Sequence, residues 1–318
     1  MSAEHLVAVV DCQPGDEARL ERLRAAVTVE LSAGAPSAEE IVERAAGATV
    51  LVTLYTYSRV GEDVLERLPG VRLVATRTAG YSHIDVAAAA GRGIEVVAVP
   101  EAPTTAVAEF TLGAMLMLRR GLAEASASTR AGGWEFTSFQ GAELAGSTLG
   151  VIGLGRIGRR VAMLGNAIGM RVLGWSRRNV PLAGVEPVEL DELLAASDVI
   201  SINLALTDET RLLLDARRLG LIGPQAILIN TAPGEVLDTD ALCRALWDER
   251  LAGACLDVVA GEPLSPERAR ELAGVPNLIL TPHISWLTGE TLERQFSGLT
   301  DAVLAFCAGQ PIHPVAAG

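Results

Sequence analysis

The sequence predicts an α/β protein built from two doubly wound, parallel-sheet domains. Three observations support this fold class. Short apolar runs alternate with amphipathic stretches along most of the chain, as in repeated βα units. A glycine-rich turn directly follows one of these apolar runs, near residue 153. The length of 318 residues is sufficient for two domains of ordinary size.

Composition narrows the class of protein before any motif is considered. Apolar residues make up 49% of the chain and charged residues 20%, which is typical of a globular protein. The formal net charge is −13, which argues against binding to nucleic acid or to an anionic membrane, because phosphates require a basic surface. The chain contains no lysine, so Schiff-base catalysis and a phosphate-loop lysine are excluded.

The cysteines and the apolar runs bear on cellular location. The four cysteines are widely spaced and form no CxxC pair, so we expect neither a disulfide framework nor a metal site. No basic N-terminal region precedes a long apolar run, and no stretch of about 18 apolar residues suggests a membrane span. We therefore expect a cytoplasmic protein that has no membrane partner.

The first hundred residues predict one set of parallel βα units. Buried strands are expected over residues 6–10, 49–54, 71–75 and 94–97. Amphipathic helices are expected between them, at residues 62–68 and 85–90.

A second set of units begins after residue 100. The segment 106–120 is apolar nearly all round, which predicts a helix buried in a core or at a subunit interface. A strand over 148–152 leads into the glycine-rich turn and an amphipathic helix. Further strands are expected at residues 171–174, 199–202, 226–229, 254–256 and 278–280, and a final helix at 289–306.

The glycine-rich turn has the spacing of a Rossmann dinucleotide site. Gly153 permits the tight turn, Gly155 lets the backbone approach a pyrophosphate, and Gly158 lets the helix pack closely on the strand. The N-terminus of the helix, with Arg156 and Ile157 in its first turn, presents N–H groups and a positive dipole end to the phosphates. We therefore count all five residues as cofactor-binding.

The end of the next strand bears on the choice of cofactor. An NAD site usually carries Asp or Glu about 20 residues after the first glycines, where it accepts a hydrogen bond from the ribose 2′-OH. This strand is instead followed by Ser176, Arg177 and Arg178, which suit a 2′-phosphate. The sequence favours NADP(H), with NAD(H) possible. The alternative is that the arginines are solvated and that Glu186 folds back to the ribose.

Taken in order, the motifs of the chain resemble those of the D-isomer-specific 2-hydroxyacid dehydrogenase family over nearly its whole length. Besides the glycine turn they are the segments at residues 79–85, 106–109, 141–146, 198–201, 230–234, 256–258 with 262–263, and 281–283. The resemblance implies a dinucleotide domain over residues 101–288, inserted into a flavodoxin-like substrate domain formed by residues 1–100 and 289–318. It also implies a homodimer packed through the inserted domain.

The resemblance further implies hydride transfer between NAD(P)H and a small carbonyl or hydroxy compound, with His283 as acid/base catalyst. His283 follows a predicted strand, at the edge where open α/β sheets bind ligands, and the ordinary pKa of histidine lies near neutrality. By the resemblance Glu262 pairs with His283, and Asp257 orients the nicotinamide or tunes the pair. Thr231 is expected among the cofactor contacts.

One family position departs from the pattern. The family motif Asn-x-Ala-Arg-Gly appears here as residues 230–234 with Pro233 in place of the arginine that grips the substrate carboxylate. Proline has neither a charge nor an N–H donor. Because the loss of one preorganised donor costs on the order of 10²–10³ in rate, ordinary reduction of 2-oxo acids is in question.

Three interpretations follow from this departure. In the first, other groups grip the carboxylate: Arg77, Arg59, or the backbone around Gly80 and Tyr81. Both arginines could equally be surface or packing residues.

In the second interpretation the substrate is a ketone, an imine or a larger metabolite, held by Tyr55, Tyr57 or Trp286. In the third, the protein is a non-catalytic NAD(P)-binding redox sensor or corepressor-like interaction protein. The intact His283 and Glu262 favour an enzyme, and we place the unusual substrate first.

Overall fold

The computed structural model of the protein describes residues 5–177, 181–310 and 312–315. The chain forms two compact units. The first consists of the residues up to Pro103 together with those from Thr288 onward, and the second is Thr104–Leu287. The boundaries predicted from the sequence, at residues 100/101 and 288/289, lie close to these.

The N-terminal part of the first unit alternates strands with short helices. In chain order its elements are β1 (Leu6–Cys12), α1 (Asp16–Arg19), α2 (Glu21–Arg24), β2 (Thr28–Ala33), α3 (Ala38–Arg44), β3 (Val50–Thr53), α4 (Glu62–Glu66), β4 (Leu73–Thr76), α5 (Val86–Gly91) and β5 (Glu95–Val97). The strands form a parallel sheet in the order β2-β1-β3-β4-β5, which is the flavodoxin-like arrangement. The sequence did not predict β2.

The second unit has more strands and longer helices. Its elements are α6 (Thr104–Arg119), α7 (Leu122–Arg130), β6 (Thr148–Ile152), α8 (Arg156–Ala167), β7 (Arg171–Trp175), β8 (Glu186–Pro187), α9 (Leu190–Ala196), β9 (Val199–Ile202), α10 (Ala216–Leu219), β10 (Ile227–Asn230), α11 (Thr239–Trp247), β11 (Gly253–Leu256), α12 (Pro266–Ala273) and β12 (Leu278–Leu280). The chain then returns to the first unit through α13 (Gly289–Cys307).

Within the described part of the second unit, seven strands form one parallel sheet in the order β12-β11-β10-β9-β6-β7-β8. Strands β7 and β8 follow β6 on one side of the sheet, and β9 to β12 follow on its other side. The strand order therefore reverses between β6 and β9. This is the Rossmann order with one added strand, and such a reversal opens a crevice at the carboxyl ends of the strands. The predicted fold class, with two parallel-sheet α/β domains, is confirmed.

Alternating side chains of β1 show how the first sheet is covered on both faces. Val7 and Val9 pack in one cluster with Phe296 and Leu299 of α13. The intervening side chains, such as Val10, pack in a second cluster under α3, α4 and α5. Because both faces are buried, the strand reads as an unbroken apolar run rather than as an alternating one.

Helix α6 is only partly covered by its own chain. Ala108, Ala114 and Met115 pack in a core cluster of the second unit. Leu116 and Met117 on the opposite side are 44% and 37% exposed. Among the described residues, no helix has the length and apolar character needed to cross a membrane.

The turn between β6 and α8 depends on the absence of side chains. Gly153 has a φ of +92°, a left-handed conformation that favours glycine. A Cβ atom at Gly158 would lie 1.8 Å from the carbonyl oxygen of Gly153. The first turn of α8 therefore packs directly on the end of β6.

We expect Gly158→Ala to lower the free energy of unfolding by about 1–3 kcal/mol, because the added methyl group forces the turn apart. Urea denaturation measures this change. Gly155→Ala is the matched control: a Cβ atom there meets nothing within 4 Å, so stability should change by less than about 1 kcal/mol. Equal destabilisation by the two variants would contradict this account of the turn.

Candidate active site

Four features of the turn after β6 fit the phosphates of a dinucleotide. Gly155 is the N-cap residue of α8, and no side chain caps it. Open space surrounds the position of its absent Cβ atom, so a ligand can approach the backbone closely. The side chain of Ile157 packs against the core, which leaves its backbone N–H as the group it can offer. The exposed Arg156 follows the cap directly. This cradle suits a pyrophosphate.

The segment that follows β7 contains the residues predicted to select between NAD(H) and NADP(H). Arg177 is 52% exposed and its Nη1 lies 2.5 Å from Oε2 of Glu209. Ser176 precedes it at the end of the strand, and Arg178 lies outside the described residues. Glu186 contacts Arg171 at 2.7 Å, at the beginning of β7, rather than the carboxyl end where a ribose would lie. The fold-back alternative for Glu186 is thus disfavoured.

His283 and Glu262 form the pair that the family resemblance implied. Nδ1 of His283 lies 2.7 Å from Oε1 of Glu262. The hydrogen bond from Glu262 raises the pKa of His283 above its ordinary value, although partial burial opposes the shift. The ring of His283 is half exposed, and its backbone has a φ of +54°. The arrangement holds a protonatable imidazole at the carboxyl end of β12.

Asp257 fixes the turn that carries His283. Its carboxylate is 1% exposed and accepts hydrogen bonds from Thr281 Oγ1 at 2.6 Å, Ile284 N at 2.8 Å and Ser285 N at 2.9 Å. The backbone N–H of His283 donates to the carbonyl of Asp257 at 2.9 Å. The negative charge of Asp257 also contributes to the raised pKa of His283. These contacts hold the turn that carries His283 against the end of β11.

The segment that contains Pro233 follows β10 closely. Asn230 is fully buried; its Nδ2 donates to the carbonyl of Val258 at 3.2 Å, and its Oδ1 accepts from the N–H of Ala232. A Cβ atom at Gly234 would lie 2.0 Å from the backbone nitrogen of Ala260. Pro233 therefore sits, half-buried, on a tightly held turn. The neighbouring Thr231 is also half-buried.

In the first unit, Tyr55 and Tyr57 are stacked, with ring centroids 5.2 Å apart. Each hydroxyl is engaged: Tyr55 donates to Asp16 at 3.1 Å, and Tyr57 accepts from Gln13 at 2.8 Å. Burial raises the pKa of Tyr55 to about 12, so its hydroxyl stays protonated at neutral pH.

The loop around Tyr55 is held in place by hydrogen bonds to a residue that was not among the predicted site residues. Asp11, at the end of β1, is fully buried and accepts from the N–H groups of Leu54 and Tyr55 and from the hydroxyl of Ser58, at 2.6–3.0 Å. A single carboxylate at the end of an apolar strand is the pattern that could have identified it.

Arg77 occupies a position unlike the one expected of a carboxylate-gripping side chain. It is 1% exposed, donates to Oε1 of Gln295 at 2.5 Å, and lies 4.4 Å from the ring centroid of Tyr55. This environment supports the packing interpretation. Arg59 is exposed and lines a cavity of about 440 Å³ together with Ser82 and His83.

The loop at Gly80 and Tyr81 retains the features expected of an anion-binding backbone. Both residues are exposed, and neither N–H group donates a hydrogen bond within the part of the chain that the structure describes. His83, farther along, is buried and lies 3.2 Å from Thr53 Oγ1; burial lowers its pKa to about 4. His83 is therefore neutral near pH 7. Trp286 is half-buried, three residues after His283.

The chain is similar in sequence to proteins of a known family. Residues 112–285 match the family model described as D-isomer specific 2-hydroxyacid dehydrogenase, NAD binding domain. The chain is 40% identical over 286 residues to glyoxylate reductase of Aeropyrum pernix, which covers 86% of this chain and 84% of that protein.

Solved structures agree with the sequence comparison. D-lactate dehydrogenase from Aquifex aeolicus, complexed with NAD and lactic acid, has a TM-score of 0.84 at 31% identity and covers 96% of both chains. An acyclic imino acid reductase in complex with NADPH and D-Arg has a TM-score of 0.89 at 25% identity and covers 98% of this chain and 100% of that one.

These relatives are enzymes, which supports catalysis over the non-catalytic alternative. The protein binds NAD(P), takes a small-molecule substrate and is an oxidoreductase that acts on CH–OH groups. The chain belongs to the D-isomer-specific 2-hydroxyacid dehydrogenase family.

Proposed function

We propose that the protein reduces the carbonyl group of a small metabolite, with His283 as the proton donor and Glu262 as the group that keeps it protonated. The observation that carries the proposal is the 2.7 Å contact between His283 Nδ1 and Glu262 Oε1. Because Nδ1 is engaged, Nε2 is the ring nitrogen that gives its proton to the substrate oxygen. NAD(P)H, when bound, supplies the hydride.

The substrate that we propose is a 2-oxo acid or a related carbonyl compound that is held without an arginine at position 233. The relatives are named for glyoxylate and lactate, which supports the 2-oxo acid class. Pro233 offers no donor on the turn after β10, and Arg77 is buried and bonded to Gln295. Uncharged groups, such as the N–H groups of Gly80 and Tyr81, therefore replace the cationic grip in this proposal.

Reduction of an imino acid is a second candidate. It is favoured by the similarity to the acyclic imino acid reductase, at a TM-score of 0.89. An imine nitrogen accepts a proton more readily than a carbonyl oxygen does, so this reaction relies less on an arginine that polarises the bond. His283 would then protonate nitrogen rather than oxygen.

We further propose NADP(H) as the preferred cofactor. The segment after β7 presents Ser176 and Arg177 and no carboxylate, and Glu186 is engaged with Arg171. The positive charge of Arg177 complements a 2′-phosphate.

We also propose that the protein is a homodimer in which a second copy covers the exposed apolar side of the α6–α7 region. Trp134 and Phe136 are 88% and 80% exposed, and Leu116 and Leu122 are nearly half exposed. Several large, exposed apolar side chains in one region of the chain, residues 116–136, support a protein–protein interface there. A particle of one-chain mass in light scattering would oppose the dimer.

Finally, we place the reaction in the cytoplasm. All four cysteines are free thiols, as is usual where glutathione keeps thiols reduced.

The proposed reaction is tested by NADPH oxidation at 340 nm with glyoxylate, hydroxypyruvate, pyruvate, an aryl 2-oxo acid, their imines formed in ammonia, and uncharged ketones. We expect turnover of at least one of these compounds. His283→Gln should lower its rate by about 10²–10⁴, because the proton donor is removed. His313→Gln, a change at an exposed histidine near the C-terminus, is the control and should leave the rate unchanged. Cofactor binding without turnover of any compound would contradict the proposal.

We expect Glu262→Gln to move the alkaline limb of the rate profile to lower pH, because the hydrogen bond that raises the pKa of His283 is lost. The raised pKa of His283 means that the protonated ring is present at low pH and is lost as pH rises through that pKa. Without the carboxylate this loss begins at lower pH. The rate of reduction against pH, together with an NMR titration of His283, checks the shift. An unmoved limb would show that Glu262 does not set the protonation of His283.

We expect Pro233→Arg to raise kcat/KM for glyoxylate by tenfold or more, on the order of what one charged, preorganised donor contributes. The backbone at position 233, with φ −49° and ψ 138°, is open to arginine. Pro233→Ala, which removes the ring without adding a charge, should have little effect. A correctly folded Pro233→Arg variant with unchanged kinetics would argue that position 233 does not face the substrate.

A further inference from the structure

An ion pair joins two loops across the carboxyl end of β6. β7 and β9 are the two neighbours of β6 in the sheet. Arg177 lies just after β7, Glu209 lies in the segment that follows β9, and their side chains are 2.5 Å apart. The pair therefore spans the strand that carries the glycine turn.

The position of this pair coincides with the ligand crevice of the sheet. The strand order reverses between β6 and β9, and open α/β sheets bind ligands outside the carboxyl ends of the strands at such a point. A Cβ atom at Gly153 would lie 2.4 Å from the carbonyl oxygen of Asn203. The segment after β9, which leads to Glu209, is thus pressed against the turn that receives the phosphates.

The pair is also exposed enough to exchange partners. The side chains of Arg177 and Glu209 are 52% and 71% exposed. Ion pairs in such surroundings are weak because water and salt screen them. A phosphate group carries more charge than a carboxylate and can bind a guanidinium through two parallel hydrogen bonds.

We propose that Glu209 is a cofactor-specificity residue that competes with the 2′-phosphate of NADP(H) for Arg177. With NAD(H), the ion pair persists across the crevice. With NADP(H), Arg177 exchanges Glu209 for the phosphate, and the released carboxylate repels that phosphate. Glu209 therefore reduces the preference for NADP(H) that Arg177 creates. This inference depends on the proposed contact between Arg177 and a 2′-phosphate.

The test compares dissociation constants of NADPH and NADH in the full-length protein, measured by fluorescence titration and by thermal shift. Glu209→Gln removes the competing charge and keeps the shape of the side chain. We expect NADPH to bind about two- to fivefold more tightly to this variant, in keeping with the loss of one exposed charge. The NADH constant should change less than the NADPH constant.

Glu186→Gln is the matched control. Glu186 is also paired with an exposed arginine of the same unit, but at the beginning of β7. This variant removes the same charge from the second unit and should leave the ratio of the NADH and NADPH constants unchanged. An equal shift in both variants would mean that net charge alone is responsible, which would overturn the role of Glu209.

The Arg177→Ala variant distinguishes a failure of this inference from a failure of the NADP(H) proposal on which it depends. Weaker NADPH binding in Arg177→Ala, together with an unchanged ratio in Glu209→Gln, would overturn the inference and leave the NADP(H) proposal standing. Unchanged NADPH binding in Arg177→Ala would overturn both. In the double variant Arg177→Ala/Glu209→Gln, we expect the Glu209 substitution to have lost its effect on NADPH. Apo melting temperatures establish that each variant is folded.

Discussion

The proposed chemistry of this protein depends on the buried carboxylate of Asp257. A carboxylate that is 1% exposed is costly unless donors surround it, and here three donors do so. Those donors belong to the segment that follows β12, so the hydrogen bonds that stabilise the charge also fold the segment around it. His283 lies within that segment and adopts a left-handed backbone conformation that the surrounding bonds maintain. The position of His283, the proposed proton donor, is thus a consequence of one electrostatic requirement.

In the first unit, another buried carboxylate holds a different loop through hydrogen bonds in the same way. Asp11 is the penultimate residue of β1, and Asp257 directly follows β11. Asp11 too is buried and accepts three hydrogen bonds from the segment after a neighbouring strand. Burial raises the pKa of Asp11, and the bonds from that loop oppose the shift. In each unit a buried acid therefore fixes the backbone that presents candidate site residues: His283 in one, and the Tyr55–Tyr57 stack in the other.

The sequence reveals those parts of the molecule that depend on local pattern. The apolar runs locate most strands, and the glycine spacing identifies the turn after β6. β2 was missed because Thr28–Ala33 lies at the edge of its sheet and mixes polar with apolar side chains that are at best half-buried. The pairing of His283 with Glu262 was expected by family resemblance, since 21 residues separate them along the chain.

Local sequence patterns do not predict contacts between residues that are distant along the chain. Arg77 looks like a solvent-facing cation in the sequence, yet it is buried against Tyr55 and Phe296, an environment that depends on α13 returning to the first sheet. Arg177 and Glu209 are 32 residues apart along the chain, and no periodicity in the sequence predicts that they pair.

The central claim is that this enzyme reduces its substrate without a cation gripping a carboxylate. The most direct measurement compares kcat/KM for a 2-oxo acid with that for its methyl ester, which keeps the reacting carbonyl and removes the charge. The account predicts values within about tenfold of each other, since uncharged donors serve both compounds. A preference for the acid of more than about a hundredfold, the scale of a lost charge-assisted hydrogen bond, would contradict it and would point to a cation such as Arg59.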